Sequence, residues 1–270
     1  MTAQLERADT ARSSFIVKHS EEKRAMYEDF AAVYDALMDD FDYPAWAAFY
    51  LRLLAAAGCA PKTAFECGCG TGSMSIPLAR TGLRLAASDL SEDMLRLAQD
   101  KARRSGVMIP FVRMDMREMA TPRPVDAVLA CCDAVNYLTR AEDVLAFFRA
   151  ARRSLKSGGV LAFDVSSAAK LTAMKDAFYG EEREGIAYLW QNRMDEDTLV
   201  ITMDLTFFVE TEGGLFRRFQ EEHIQRAHTQ EELAAWLAEA GFVDVRVCGD
   251  RTLDPPGPNE QRLHLTAKKP

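Results

Sequence analysis

The stretch Thr63 to Met74 constrains this chain more than any other: it reads Thr-Ala-Phe-Glu-Cys-Gly-Cys-Gly-Thr-Gly-Ser-Met. An apolar run ends in an acid, Glu66, and glycines recur at every second position, Gly68, Gly70 and Gly72, before helix-forming sequence resumes at Met74. Strand, glycine loop and helix start in that order bring backbone close to a bound ligand, because glycine tolerates the turn conformations and presents no Cβ. A dinucleotide loop places its third glycine one position later, where Ser73 stands, and seldom ends its strand on an acid. The spacing therefore favours a different ligand, with an ordinary tight turn as the bland alternative.

At 270 residues, 48% hydrophobic and 27% charged, the chain has the composition of a globular protein with one substantial core. A net charge of -8 argues against nucleic-acid backbones as partners, which need clustered Lys and Arg. No run approaches the ~20 apolar residues of a membrane span, and the polar N-terminus lacks a signal-peptide core, so a cytoplasmic location is expected. The six cysteines, Cys59, Cys67, Cys69, Cys131, Cys132 and Cys248, lack zinc-site spacing, and no metal is expected.

Residues 1–20 are polar and aperiodic and read as a disordered arm. A helical pattern follows from Glu21, with Phe30, Val33, Tyr34 and Leu37 on one face, and a second helix spans Tyr43 to Ala57 with Gly58 as its stop. Tyr27 and Tyr34 either reach a cofactor from there or are core. From Thr63 to Val165 strands and helices alternate as in a parallel sheet covered on both faces. Strand two is read as Leu83 to Ser88, closing on Asp89, and Ser91-Glu92-Asp93 opens the next helix, whose apolar face includes Met94. Asp89 follows Gly70 by 19 residues, the distance at which a second strand delivers a carboxylate to ribose hydroxyls; the alternative is a helix cap.

Strand three is read as Pro110 to Met114 and strand four as Val125 to Ala130, which leads into Cys131-Cys132-Asp133-Ala134-Val135-Asn136-Tyr137. Ligands of open sheets sit beyond the carboxyl ends of the strands, so Asp133, Asn136 and Tyr137 are candidates for substrate contact, or else turn formers. Lys156-Ser157-Gly158-Gly159 reads as a turn before strand five, Val160 to Val165. Residues 166–226 break the pattern: 186–193, 199–209 and 215–226 read as an inserted antiparallel sheet with a Gly213-Gly214 hairpin, placed as a lid over the strand ends. Thr229 to Glu232 is a capping box, and Phe242 to Cys248 and Arg262 to Lys268 close the chain as two strands.

Together these segments resemble the class I S-adenosylmethionine-dependent methyltransferases, in particular a small bacterial branch with a β-sheet insert after strand five. Besides Glu-x-Gly-x-Gly-x-Gly, the resemblance rests on Asp115-Met116 after strand three, Leu155-Lys-x-Gly-Gly159, Tyr27-Glu-Asp-Phe-Ala-Ala-Val-Tyr-Asp35, Asp133-Ala-Val-Asn-Tyr-Leu138, Phe163-Asp-Val165 and Arg218 to His228. It implies a seven-stranded, mostly parallel Rossmann-like α/β sheet formed by residues 21–165 and 227–270, with residues 166–226 as a lid or substrate subdomain. It further implies S-adenosylmethionine as cofactor, held by Tyr27, Tyr34, Glu66, Gly68, Gly70, Gly72, Asp89, Leu90, Met94, Asp115, Met116 and Cys131. Asp115 would accept from the adenine amino group and the Met116 amide would meet a ring nitrogen.

Methyl transfer is an in-line displacement in which the sulfonium brings its own leaving group, so the enzyme mainly aligns reactants and excludes water. A base helps if the acceptor is a hydroxyl or ammonium, and His suits that near neutral pH. His223 ranks first, then Asp133, Tyr137 and His228, although a lone histidine on an amphipathic strand is more often a structural hydrogen bonder. The expected activity is O- or N-methylation of a small molecule by a monomer or homodimer. A non-catalytic S-adenosylmethionine sensor and a dinucleotide oxidoreductase are the competing readings.

Overall fold

The computed structural model describes residues 31 and 33–270. The expected disordered arm, most of the first helix and Tyr27 lie outside the described residues. Eleven strands form two sheets among them. The larger sheet runs in the order β3 (Phe111–Arg113), β2 (Arg84–Asp89), β1 (Thr63–Cys67), β4 (Val125–Ala130), β5 (Leu155–Ser166), β11 (Arg262–Lys268) and β10 (Val243–Cys248). The first five are parallel, and β11 is antiparallel to both β5 and β10. This is a Rossmann-like strand order with an antiparallel edge. It puts the carboxyl ends of β1, β2, β4 and β5 along one edge.

Strands buried on both faces need apolar residues of both parities. On β4, Ala127 and Leu129 join a core with Trp46, Phe49, Tyr50 and Leu53 of α1 (Tyr43–Ala56), while Val128 and Ala130 join one with Phe147 and Phe148 of α4 (Ala141–Ser154) and with Leu233 and Leu237 of α6 (Gln230–Glu239). Between these helices in sequence come α2 (Ser75–Arg80) and α3 (Glu92–Arg104). The helix starts carry the caps expected from sequence: the Ser91 hydroxyl accepts from Met94 N at 3.2 Å, and Thr229 and Glu232 form a full capping box.

The second sheet is an antiparallel meander, β6 (Phe178–Arg183), β7 (Ile186–Asp195), β8 (Val200–Thr211) and β9 (Leu215–Arg226). Phe207 and Phe219 stack on its inner side at 5.1 Å and pack with Val33, Tyr34 and Leu37 of a helical segment and with Met94 of α3. The second sheet thus packs on the helical segment and on the start of α3.

Several boundaries differ from the sequence reading. Strand two runs one residue later, through Asp89, because Asp89 still pairs with Arg113 on β3. Strand three is shorter at both ends. Lys156 to Gly159 is a bulged stretch inside β5, not a turn before it: Gly158 donates to the Lys269 carbonyl at 2.9 Å, and Lys269 donates back to Gly159. The insert has four strands where three were expected, plus a short helix, α5 (Ala168–Ala173). The missed β6 is an exposed edge strand whose Phe-Tyr-Gly-Glu-Glu-Arg carries no alternation.

Candidate active site

The glycine loop sits at the carboxyl end of β1. A Cβ on Gly68 would come within 2.9 Å of Ala134 Cβ, and one on Gly72 within 3.0 Å of Ala98 Cβ, so both allow close packing, on the turn after β4 and on α3. Gly70 differs: at φ +51° its Cβ would meet nothing within 4 Å, leaving open space over the loop. Beneath it Glu66 is buried and accepts from Ser75 Oγ at 2.5 Å. Burial raises its carboxyl to about 7, with the nearby Asp89 adding to the rise.

Asp89 closes the loop. Its Oδ2 accepts from Gly70 N at 2.8 Å and its Oδ1 from Ser91 N at 2.9 Å. Each oxygen keeps a lone pair, the requirement for accepting from adjacent hydroxyls. The helix cap, the alternative in the sequence, is Ser91 and not Asp89, which only braces the Ser91 amide and is left able to accept further. Leu90 beside it is 58% exposed.

Asp115 caps a 3-10 turn, Met116–Glu118, by accepting from Arg117 N at 2.9 Å, and pairs with the Arg117 guanidinium, which holds its carboxyl below the usual range. Its lone pairs are engaged there, so an adenine amino group would have to displace one contact. Met116 packs against the main core and approaches Gly68. Cys131 is buried beside Tyr50 and Leu129, and its side chain faces the core rather than the loop. All six thiols are free.

A second cluster begins where β4 ends. Cys132 and Asp133 are consecutive left-handed residues, at φ +58° and +53°, and a 3-10 turn, Ala134–Tyr137, follows. The Asp133 carboxylate accepts from Arg262 Nη1 at 2.8 Å and from Gln225 Nε2 of β9 at 3.2 Å. Burial would raise its pKa, but Arg262 overrides that and holds it low, so Asp133 is an ionised anchor and a poor proton acceptor. Asn136 is no simple turn former: it donates to the carbonyls of Ser166 and Arg226 at 3.1 and 2.9 Å and accepts from Ser166 N at 2.9 Å, stitching the turn to β5 and β9.

Tyr137 Oη lies 3.0 Å from His223 Nδ1 of β9, and the rings meet edge to face. Burial lowers the His223 pKa, with Asp133 pulling the other way, which leaves the imidazole neutral at neutral pH. Tyr34 joins this group, with Tyr43, Cys132, Asp133 and Tyr137 beside it and burial keeping it protonated. Asp133, Tyr137 and His223 are thus brought together. His228 is not: fully buried, its Nδ1 lies 3.1 Å from Arg226 Nη1 and its ring packs edge-on against Trp236. Burial takes it down to about 4. Its place in the ranking of bases is corrected to a structural one.

Three residues of the network were given no site role in the sequence, Asp164 entering only within the Phe163-Asp-Val165 segment. Asp164 of β5 accepts from Cys132 N at 2.7 Å, Asp133 N at 3.0 Å, Tyr50 Oη at 2.5 Å and Arg262. Arg262 also sits over Trp46 at 5.2 Å. An acid within the apolar strand Val160 to Val165 was the available signal for Asp164; nothing local marked Arg262 or Tyr50. Among the described residues no cluster of three His, Cys, Asp or Glu is placed to hold a metal, and no helix is long and apolar enough to cross a membrane.

An open parallel sheet, a glycine loop on its first strand, a carboxylate on its second and an aromatic turn on its fourth define a nucleoside-dependent transferase core. Residues 64–159 match the sequence profile of a methyltransferase domain. The Bacillus subtilis (strain 168) protein YqeM, provisionally named a methyltransferase, is 37% identical over 90% of this chain and 97% of its own. A crystal structure of an S-adenosylmethionine-dependent methyltransferase from Clostridium acetobutylicum ATCC 824 superposes with a TM-score of 0.80, is 27% identical and covers 90% of this chain and 98% of that one. The S-adenosylmethionine-bound amino pentose methyltransferase CalS10 of Micromonospora echinaspora shares the fold at a TM-score of 0.71 and 23% identity, over 88% of this chain and 97% of that one. The chain belongs to the S-adenosylmethionine-dependent methyltransferases, and S-adenosylmethionine is its cofactor. The open space over Gly70 and the lone pairs left on Asp89 fit that compound.

Proposed function

We propose that the methyl group goes to an oxygen or nitrogen of a small-molecule acceptor lodged between the turn after β4 and strand β9, with residues 166–226 as the lid. The observation that carries this reading is the 3.0 Å contact between Tyr137 and His223, which joins core and insert on the strand-end edge that also bears the glycine loop. Bound S-adenosylmethionine supplies an electrophilic methyl on a sulfonium leaving group. Gly68 to Gly72 would hold its amino-acid tail, Asp89 would accept from its ribose hydroxyls, and Asp115 with the Met116 amide would meet its adenine once Asp115 gives up one contact to Arg117. Tyr34 and Met94 close the crevice from the lid side, since both pack into the cluster under Phe207 and Phe219.

His223 meets the Tyr137 oxygen through Nδ1 and is the group that takes the acceptor's proton. Burial lowers its pKa, so the imidazole is in its neutral, proton-accepting form at neutral pH. Incubation with methyl-labelled S-adenosylmethionine and a panel of hydroxylated and amine metabolites tests the proposal. The expected result is a labelled O- or N-methyl product, with turnover falling roughly 10²- to 10⁴-fold in His223→Gln. Labelling of carbon or sulfur alone overturns the acceptor class, and full turnover in His223→Gln overturns the base.

A further inference from the structure

The backbone at the end of β4 is held in a conformation that its own residues disfavour. Two consecutive non-glycine residues at positive φ persist only where surrounding contacts over-determine them. Here those contacts converge on one buried carboxylate. One Asp164 oxygen takes the Cys132 N–H at 2.7 Å, the other the Asp133 N–H at 3.0 Å. Tyr50 Oη and Arg262 Nη1 fill the remaining acceptor positions. The same Arg262 nitrogen reaches the Asp133 carboxylate at 2.8 Å, so Asp164 grips the turn by its main chain and, through Arg262, by its side chain. Four residues further along stands Tyr137, against His223.

We propose that Asp164 is a positioning residue for methyl transfer: by fixing Cys132 and Asp133 in left-handed conformation it sets where Tyr137 meets His223, and hence where an acceptor is presented. This rests on the acceptor site proposed above. It assigns work to a side chain that is fully buried, has no access to acceptor or cofactor, and so acts only through the turn. An aspartate is required: an asparagine of the same shape replaces one oxygen by an NH₂ group, which cannot accept from a backbone N–H or from Arg262.

The test needs no known acceptor. The imidazole Cε1–H of His223, assigned by its loss in His223→Gln, is titrated by NMR in the wild-type protein and in Asp164→Asn, each folded and saturated with S-adenosylmethionine. In the variant the turn relaxes, Tyr137 withdraws and water reaches the ring. The expected result is a His223 midpoint moved upward by half a pH unit or more, about threefold in the protonation constant, with cofactor affinity changed by less than about threefold. Tyr50→Phe, which keeps the ring and removes one donor, gives a smaller shift of the same sign and serves if Asp164→Asn does not fold. An unchanged His223 midpoint in a folded variant overturns the positioning role. Loss of methylation in His223→Gln with no shift in Asp164→Asn would sink this inference while leaving the acceptor site standing. On any acceptor found in the panel, Asp164→Asn is expected to lower kcat roughly 10- to 100-fold at unchanged KM for the cofactor.

Discussion

Asp89 does two jobs with one carboxylate. It takes the Gly70 and Ser91 amides, which ties the glycine loop to the start of α3, and it keeps lone pairs for the ribose proposed there. Asp89→Ala is therefore expected to weaken S-adenosylmethionine binding by about 1.5 to 3 kcal/mol, roughly 10- to 150-fold, measured by calorimetry. Unchanged affinity would contradict the site. His223 and His228 show how environment separates residues that look alike in sequence. Both lose basicity through burial, yet one faces Tyr137 at the strand ends and the other is enclosed between Arg226 and Trp236.

At the scale of elements, the turn after β4 ties the four-stranded sheet to the core. Asn136 makes three hydrogen bonds there: its NH₂ donates to the Ser166 carbonyl on β5 and the Arg226 carbonyl on β9, and its oxygen accepts from Ser166 N, across 30 and 90 positions of sequence. Asn136→Ala leaves those buried backbone groups unpaired, at roughly 1 to 3 kcal/mol for each group stranded. Chemical denaturation should show a loss in that range, and hydrogen exchange should show β9 losing protection before β1 and β4. Elements were legible in proportion to how local their cause is. The capping box at Thr229, the Gly213-Gly214 hairpin and the alternation along β8 all work within a few residues and were readable. Strand β6 was not, because an exposed edge strand needs only a partner, and its partner is β7. Asp164 and Arg262 escaped for a related reason: their bond closes 98 positions of chain and leaves no periodicity behind.

For the whole molecule, two buried groups bend the dependence of stability on pH in opposite directions. His228 titrates at about 4 when folded and near 6.5 when unfolded, so its contribution is complete above 6.5 and is lost as pH falls toward 4. Glu66 moves from 4.5 to about 7, so its contribution is complete below 4.5 and is lost as pH rises toward 7. Each gap corresponds to about 3 kcal/mol, and over the shared window the two slopes oppose. Replacing Glu66 by glutamine removes one of them. In urea unfolding without cofactor, Glu66→Gln is expected to be more stable than wild type above about pH 7 and to rise more steeply with pH below it. A variant that tracks the wild-type curve would show that Glu66 stays ionised in the folded protein.

The way Asn136 is shared has a practical meaning for anyone who wishes to retarget this scaffold by exchanging parts between relatives. Transplanting residues 166–226 alone would bring a foreign Ser166 and Arg226 to a resident Asn136, and a foreign residue 223 to a resident Tyr137. Chimeras that carry residues 132–137 along with the graft keep both seams matched, and the smallest exchangeable module is therefore discontinuous in sequence.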